Sequence, residues 1–312
     1  MDSNNFFSKV KEGDNSIIMY VLGVVLSFGG YFIGQVPLFL VSLNAVSSEG
    51  IGSERLNDFM KTMDFSILGI DKNFGLFLLI LMFVFAIAGL WLALRIQKKR
   101  IQNLISPNGG IDFKRILFGF GIWIVLGLVT ELINYLTNPG DYTLQFSFGP
   151  FVVLLLISVL LLPIQTSFEE LFFRGYLMQG FSLLKNNKLL VMVITSVLFA
   201  LVHGTNPEIS EYGAPIMMTY YVLAGFFLAL ITVMDGRLEL ALGIHAATNM
   251  YGTVISSYGG GVLQTDSLMK TSSINPYFMT LAFLITGSIA YFIFARKYQW
   301  PNISEILKPI DI

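Results

Sequence analysis

Apolar stretches of about twenty residues recur from one end of this chain to the other, and no water-soluble core takes in so many. They run from Ile17 to Leu43, Phe74 to Leu94, Ile116 to Leu136, Pro150 towards Leu184, Leu189 to His203, Pro215 to Met234, Leu238 to Ser256 and Pro276 to Ala295. Only 12% of the chain is charged, about half the share of a soluble domain. The pattern predicts an all-α, polytopic integral membrane protein of about eight transmembrane helices, forming one membrane domain over residues 1–312. The first run is too long for a signal-peptide core and lacks a small-x-small cleavage site, so it reads as a retained helix, bent near Pro37. Between Ser42 and Asn73, Glu49, Glu54, Arg55 and Asp58 mix with Phe59, Met60, Met63 and Phe65. That is the composition of a segment lying on the membrane surface.

Basic residues give the orientation. With the N-terminus inside and eight crossings, only Arg55, Lys61, Lys72 and Lys270 of the 19 Lys and Arg residues fall on outer segments. Positive charge favours the cytoplasmic side, so both termini are expected there. A net charge of −1 offers no basic surface for nucleic acid. With no cysteine, disulfides, thiolate catalysis and cysteine-bound metal are excluded.

Against this background Glu169, Glu170 and Arg174 stand out, because a charge in hydrocarbon costs between ~2.5 and more than ~10 kcal/mol. Fourth and fifth helices form a hairpin turning near Asn186. Glu169 lies 17 residues before that turn and His203 lies 17 after it, so an antiparallel pair brings them to one level. His245 and Asn249 share a helical face on the seventh helix, as Phe199 and His203 do on the fifth. Each feature has a bland reading. Glu170 with Arg174 reads best as a helical ion pair, a lone histidine packs in many cores, and Glu131 shows that a carboxylate in a span need not belong to a site. Convergence of the chain's two histidines, the paired glutamates and Asn249 favours a functional polar site inside the bundle.

The chemistry open to such a site is hydrolysis. A buried glutamate beside an imidazole can take a proton from water, while imidazole N–H and the Asn249 amide are donors for an oxyanion. No nucleophilic Ser–His or Ser–Lys pairing presents itself. Zinc held by Glu169, His203 and His245 is the competing mechanism, although the compact H-E-x-x-H spacing is absent.

Three segments carry a resemblance. Glu169-Glu170-Leu-Phe-Phe-Arg174 resembles the E-E-x-x-x-R motif of the CPBP (ABI) intramembrane proteases, which include the CAAX prenyl endopeptidases. Phe199-Ala-Leu-Val-His203 is similar to that family's F-x-x-x-H motif, and His245-Ala-Ala-Thr-Asn249 to its H-x-x-x-N motif. The resemblance implies a metal-independent glutamate endopeptidase of the bacterial plasma membrane, without cofactor, with a protease core over about 150–256. It further implies that Glu169 and His203 activate water, that His245 and Asn249 stabilise the oxyanion, and that Glu170, Arg174 and Phe199 support them. Its partners would be the lipid bilayer and a peptide or protein substrate, whose identity, prenylated or not, does not carry over; oligomeric state is not legible. A non-catalytic membrane immunity or scaffold protein is the alternative from another class.

Overall fold

The computed structural model describes residues 6–48 and 50–310. Glu49, in the polar segment after the first helix, and the first five residues of the polar N-terminal stretch lie outside the described residues.

Eight principal helices follow the eight apolar runs: α1 (Ile17–Ser48), α2 (Lys72–Ile96), α3 (Phe113–Thr137), α4 (Phe148–Leu184), α5 (Lys188–Val202), α6 (Ala214–Asp235), α7 (Glu239–Met250) and α8 (Pro276–Tyr298). Six are long and apolar enough to cross a membrane; α5, of 15 residues, and α7, of 12, are shorter. The two short helices carry the two histidines. Helix starts follow from side-chain acceptors that satisfy free backbone N–H groups. Asp71 accepts from Phe74 N, Asp112 from Lys114 N and Asn187 from Leu190 N.

Without a hydrophobic drive between helices in lipid, close approach depends on small residues. α1 and α2 meet at Gly30 and Gly89, where an added Cβ would stand 2.2 Å from the carbonyl oxygens of Phe85 and Leu26 respectively. α7 meets α3 in the same way at Gly243, whose Cβ would stand 2.1 Å from Ile116 O. That contact fixes the position of the helix carrying His245.

The turns Arg95–Lys114, Lys185–Lys188 and Asp235–Leu238 gather at one end of the bundle, the basic end. There a short 3-10 helix, Phe6–Lys11, buries Phe6, Phe7 and Val10. Phe6 and Phe7 share a cluster with Met178 of α4, Val191 and Met192 of α5, Ala229 of α6 and Ile310 near the C-terminus. The Lys99 Nζ donates to Asn15 Oδ1 (2.6 Å) and Tyr20 Oη (2.9 Å). Tyr176 of α4 donates to Met19 O at 3.0 Å and accepts from Gln97 Nε2 at 2.5 Å. The opposite end carries a small sheet, ordered β1 (Tyr142–Leu144), β3 (Met269–Thr271), β2 (Ser256–Tyr258), with β3 antiparallel to β1 and parallel to β2.

The structure adds local detail to these expectations. α1 contains Pro37, where a bend is expected, within one continuous helix. α5 stops at Val202, with His203 as its C-cap. The loop after His203 contains a helical turn, Pro207–Tyr212. The segment expected on the membrane surface folds into a ten-residue helix, Ser53–Thr62, and a 3-10 turn, Phe65–Leu68. Phe59 and Phe65 pack there against Leu38 and Val41 of α1.

Candidate active site

The site begins with a local departure from α-helical geometry. Immediately after Glu170, α4 widens into a π-helical stretch over Leu171–Leu177 before resuming at Met178. Such stretches lose hydrogen-bond quality and concentrate at functional positions. Arg174 lies inside it. Its Nη1 donates to Glu170 Oε1 at 2.6 Å, with both side chains fully buried. Its Nη2 donates to Gly225 O of α6 at 3.1 Å, and its guanidinium lies 4.3 Å over the Phe199 ring of α5. One arginine thus fastens α4, α5 and α6 around the pair of carboxylates.

The two histidines are oriented by their Nδ1 atoms. His203 Nδ1 is 2.7 Å from Phe199 O; a carbonyl only accepts, so Nδ1 carries the proton and Nε2 is left towards the cavity. His245 Nδ1 is 2.6 Å from Glu170 Oε1, the same oxygen that Arg174 holds, so the ring donates there too. Both remaining Nε2 atoms face one oxygen. Glu169 Oε2 lies 3.8 Å from His203 Nε2 and 3.7 Å from His245 Nε2. These separations exceed a hydrogen bond. Glu169 is 6% exposed, and its Oε2 has no hydrogen-bond partner. Gln165 Nε2 reaches the other oxygen at 3.5 Å.

Glu169, His203 and His245 open on a cavity of about 1610 Å³, and Asn249, one turn beyond His245, lines the same wall. Its walls are mostly aromatic and aliphatic, contributed by α1 to α8, and it extends to the sheet end at Ser257 and Thr271. The structure therefore brings Glu169, Glu170, Arg174, Phe199, His203 and His245 into one contact network, with Asn249 beside it. Glu131 lines the cavity further off and accepts from Ser256 Oγ at 2.7 Å. Among the described residues, no group of three His, Asp or Glu is arranged as a ready-made metal site.

Three further residues back the site. The Tyr221 ring from α6 stacks on His203 with centroids 4.5 Å apart. Its hydroxyl donates to Glu208, which also accepts from Asn206 Nδ2 at 3.2 Å. Glu208 follows Pro207 in a polar connection, and no helical spacing relates it to the motifs, so sequence reasoning missed it.

Fold and site together define a helical membrane protein with a buried glutamate–histidine cluster opening on a large, mainly apolar cavity. Residues 148–251 match the family model described as type II CAAX prenyl endopeptidase Rce1-like. The chain is 34% identical over 264 residues to the uncharacterized protein YyaK of Bacillus subtilis (strain 168), covering 82% of this chain and 85% of that protein. No solved structure matches it. The chain belongs to the Rce1-like CAAX prenyl endopeptidase family of membrane proteases.

Proposed function

We propose that this protein is an intramembrane endopeptidase in which Glu169 and His203 activate water for attack on a peptide carbonyl. The observation that carries the reading is Glu169 Oε2: buried, without a hydrogen-bond partner, and facing Nε2 of both histidines across the cavity wall. A water at that wall would hydrogen-bond to Glu169 Oε2 and His203 Nε2 and give up its proton to the carboxylate as its oxygen bonds to the carbonyl carbon. The same proton would then pass to the leaving amine as the C–N bond breaks. His245 Nε2 and the Asn249 amide would donate to the developing oxyanion. For His245 to donate from Nε2 while Nδ1–H is engaged by Glu170, the ring must hold both protons. Its charge would then be flanked by Glu169 and Glu170, with Arg174 balancing the latter.

Water as nucleophile needs no cofactor, and the same side chains leave zinc ligation as the mechanism to test against. The distribution of basic residues supports an orientation with both termini in the cytoplasm, and the similarity to a Bacillus subtilis protein supports a bacterial plasma membrane. The substrate would be a peptide or membrane-protein segment held in the mainly apolar cavity. The deciding experiment is turnover of a quenched peptide pool by purified protein and by Glu169→Gln, which is nearly isosteric but cannot serve as base. A fall in kcat of at least about 10²-fold, with the thermal midpoint unchanged, is expected. Equal, measurable turnover by the variant would sink the mechanism, and no turnover by either protein would leave a non-catalytic binding protein. Activity should also persist in excess chelator; loss restored by added zinc would assign the three side chains to a metal.

A further inference from the structure

Glu208 is 2% exposed and lines the cavity. Both of its recognised donors, the Tyr221 hydroxyl and the Asn206 amide, are neutral and approach the same oxygen, Oε1. Its Oε2 is buried and has no hydrogen-bond partner. A buried carboxylate is ordinarily paired with a cation or fully hydrogen-bonded. Among the described residues no lysine or arginine forms an ion pair with Glu208, and none lines the cavity at all, whereas Glu131, Asp141, Glu169 and Glu208 do. Arg174, the arginine nearest the chemistry, is turned away from the cavity and engaged by Glu170. Because Tyr221 stacks on His203 while bonding Glu208, the half-satisfied carboxylate sits one aromatic ring away from the reacting groups.

We propose that Glu208 is a substrate subsite for a positively charged side chain, lysine or arginine, next to the peptide bond to be cut. The position next to a cleaved bond rests on the proteolytic reading; the binding itself does not. The ligand's ammonium or guanidinium completes the pairing of Oε2, and the other carboxylates of the cavity add attraction of the same sign. A site built to pair a charged group discriminates against isosteres that lack it, because they leave a buried charge uncompensated. By the same logic a substrate segment with its own carboxylate at that subsite meets Glu208 and, among the described residues, no lysine or arginine.

The test uses the full-length protein in zwitterionic nanodiscs and fluorescent alanine–leucine peptides capped at both ends. Each peptide carries lysine, norleucine or glutamate at one position, moved along the series. Binding is measured by anisotropy with wild type, Glu208→Gln and Glu208→Asp, and cleavage is scored separately. At one register lysine should bind about tenfold or more tightly than norleucine, and glutamate more weakly than either. Glu208→Gln should reduce the lysine-to-norleucine ratio to about one, and Glu208→Asp should restore part of it. No lysine preference at any register in wild type would overturn the subsite, whether or not the variants fold. A preference that survives in folded Glu208→Gln would overturn it equally. Lysine-selective binding without cleavage of any peptide would uphold the subsite and count instead against the protease reading.

Discussion

At the scale of single residues, the site divides its charges between two adjacent glutamates on different terms. Glu169 faces the cavity with Oε2 unpartnered, while Glu170 is fully buried, with Arg174 and His245 sharing its Oε1 and its Oε2 likewise without a hydrogen-bond partner. Removing one partner of a buried ion pair leaves the other uncompensated, which costs ~3–5 kcal/mol. Arg174→Met should therefore lower the thermal midpoint sharply, measured by unfolding in detergent, and a matching Glu170→Met change should recover part of that loss. Glu170→Gln should do something different: it weakens the acceptor that orients His245 Nδ1–H, so kcat should fall while the thermal midpoint drops less than in Arg174→Met. An unchanged kcat would remove His245 from the donor role. The hairpin count around Asn186 put Glu169 level with His203, and their side chains stand 3.8 Å apart. The spacing from Glu170 to Arg174 was equally readable, since i, i+4 contacts are local. The bond from His245 to Glu170 was not, because it joins residues 75 positions apart and depends on how α7 rotates against α4. Glu208 was hidden for a like reason: its value comes from Tyr221, thirteen residues on and on another helix.

At the scale of elements, apolar run length read the number and order of the helices, but geometry within them escaped it. Neither the π-helical stretch at Leu171–Leu177 nor a second one at Tyr251–Ile255 has a sequence signature as plain as proline or an N-cap. The three-residue strands were illegible because alternation over three positions is no signal. The close contact of α7 with α3 was likewise invisible, although the glycine responsible is plain in the sequence. At Gly243 a methyl group would meet backbone, not a flexible side chain. Gly243→Ala should therefore push α7 off α3 and carry His245 away from Glu169 and Glu170. We expect loss of turnover larger than the loss of thermal stability, and equal effects would argue against α7 as a positioning helix.

At the scale of the whole molecule, the basic end is bound together by a buried lysine. Burial lowers the Lys99 pKa from its ordinary value to about 8, against the opposing pull of Asp14 and Glu12. The unfolded chain keeps that proton up to about pH 10.5. Between these values the unfolded state binds more protons, so the stability linked to Lys99 rises with pH. Below about pH 8 the full penalty of burying the charge is present. Thermal midpoints measured from pH 7 to 10 should contain a rising contribution that disappears in Lys99→Met; a falling one would contradict the burial. Topology is tested by reporter fusions, expected to show cytoplasm after Gln102 and Lys185 and the outside after Asp141. The reverse pattern would invert the basic-end assignment.

The shortness of α5 has a further consequence. Fifteen residues from Lys188 to Val202 rise about 22 Å at 1.5 Å each, and His203 sits on the tip. The helix is in effect a ruler that sets how far from the basic end the reacting groups stand. Adding one turn would lift His203 by about 5 Å, past Glu169, which is anchored separately on α4. A substrate crossing the bundle would then be addressed by depth as well as by side chain.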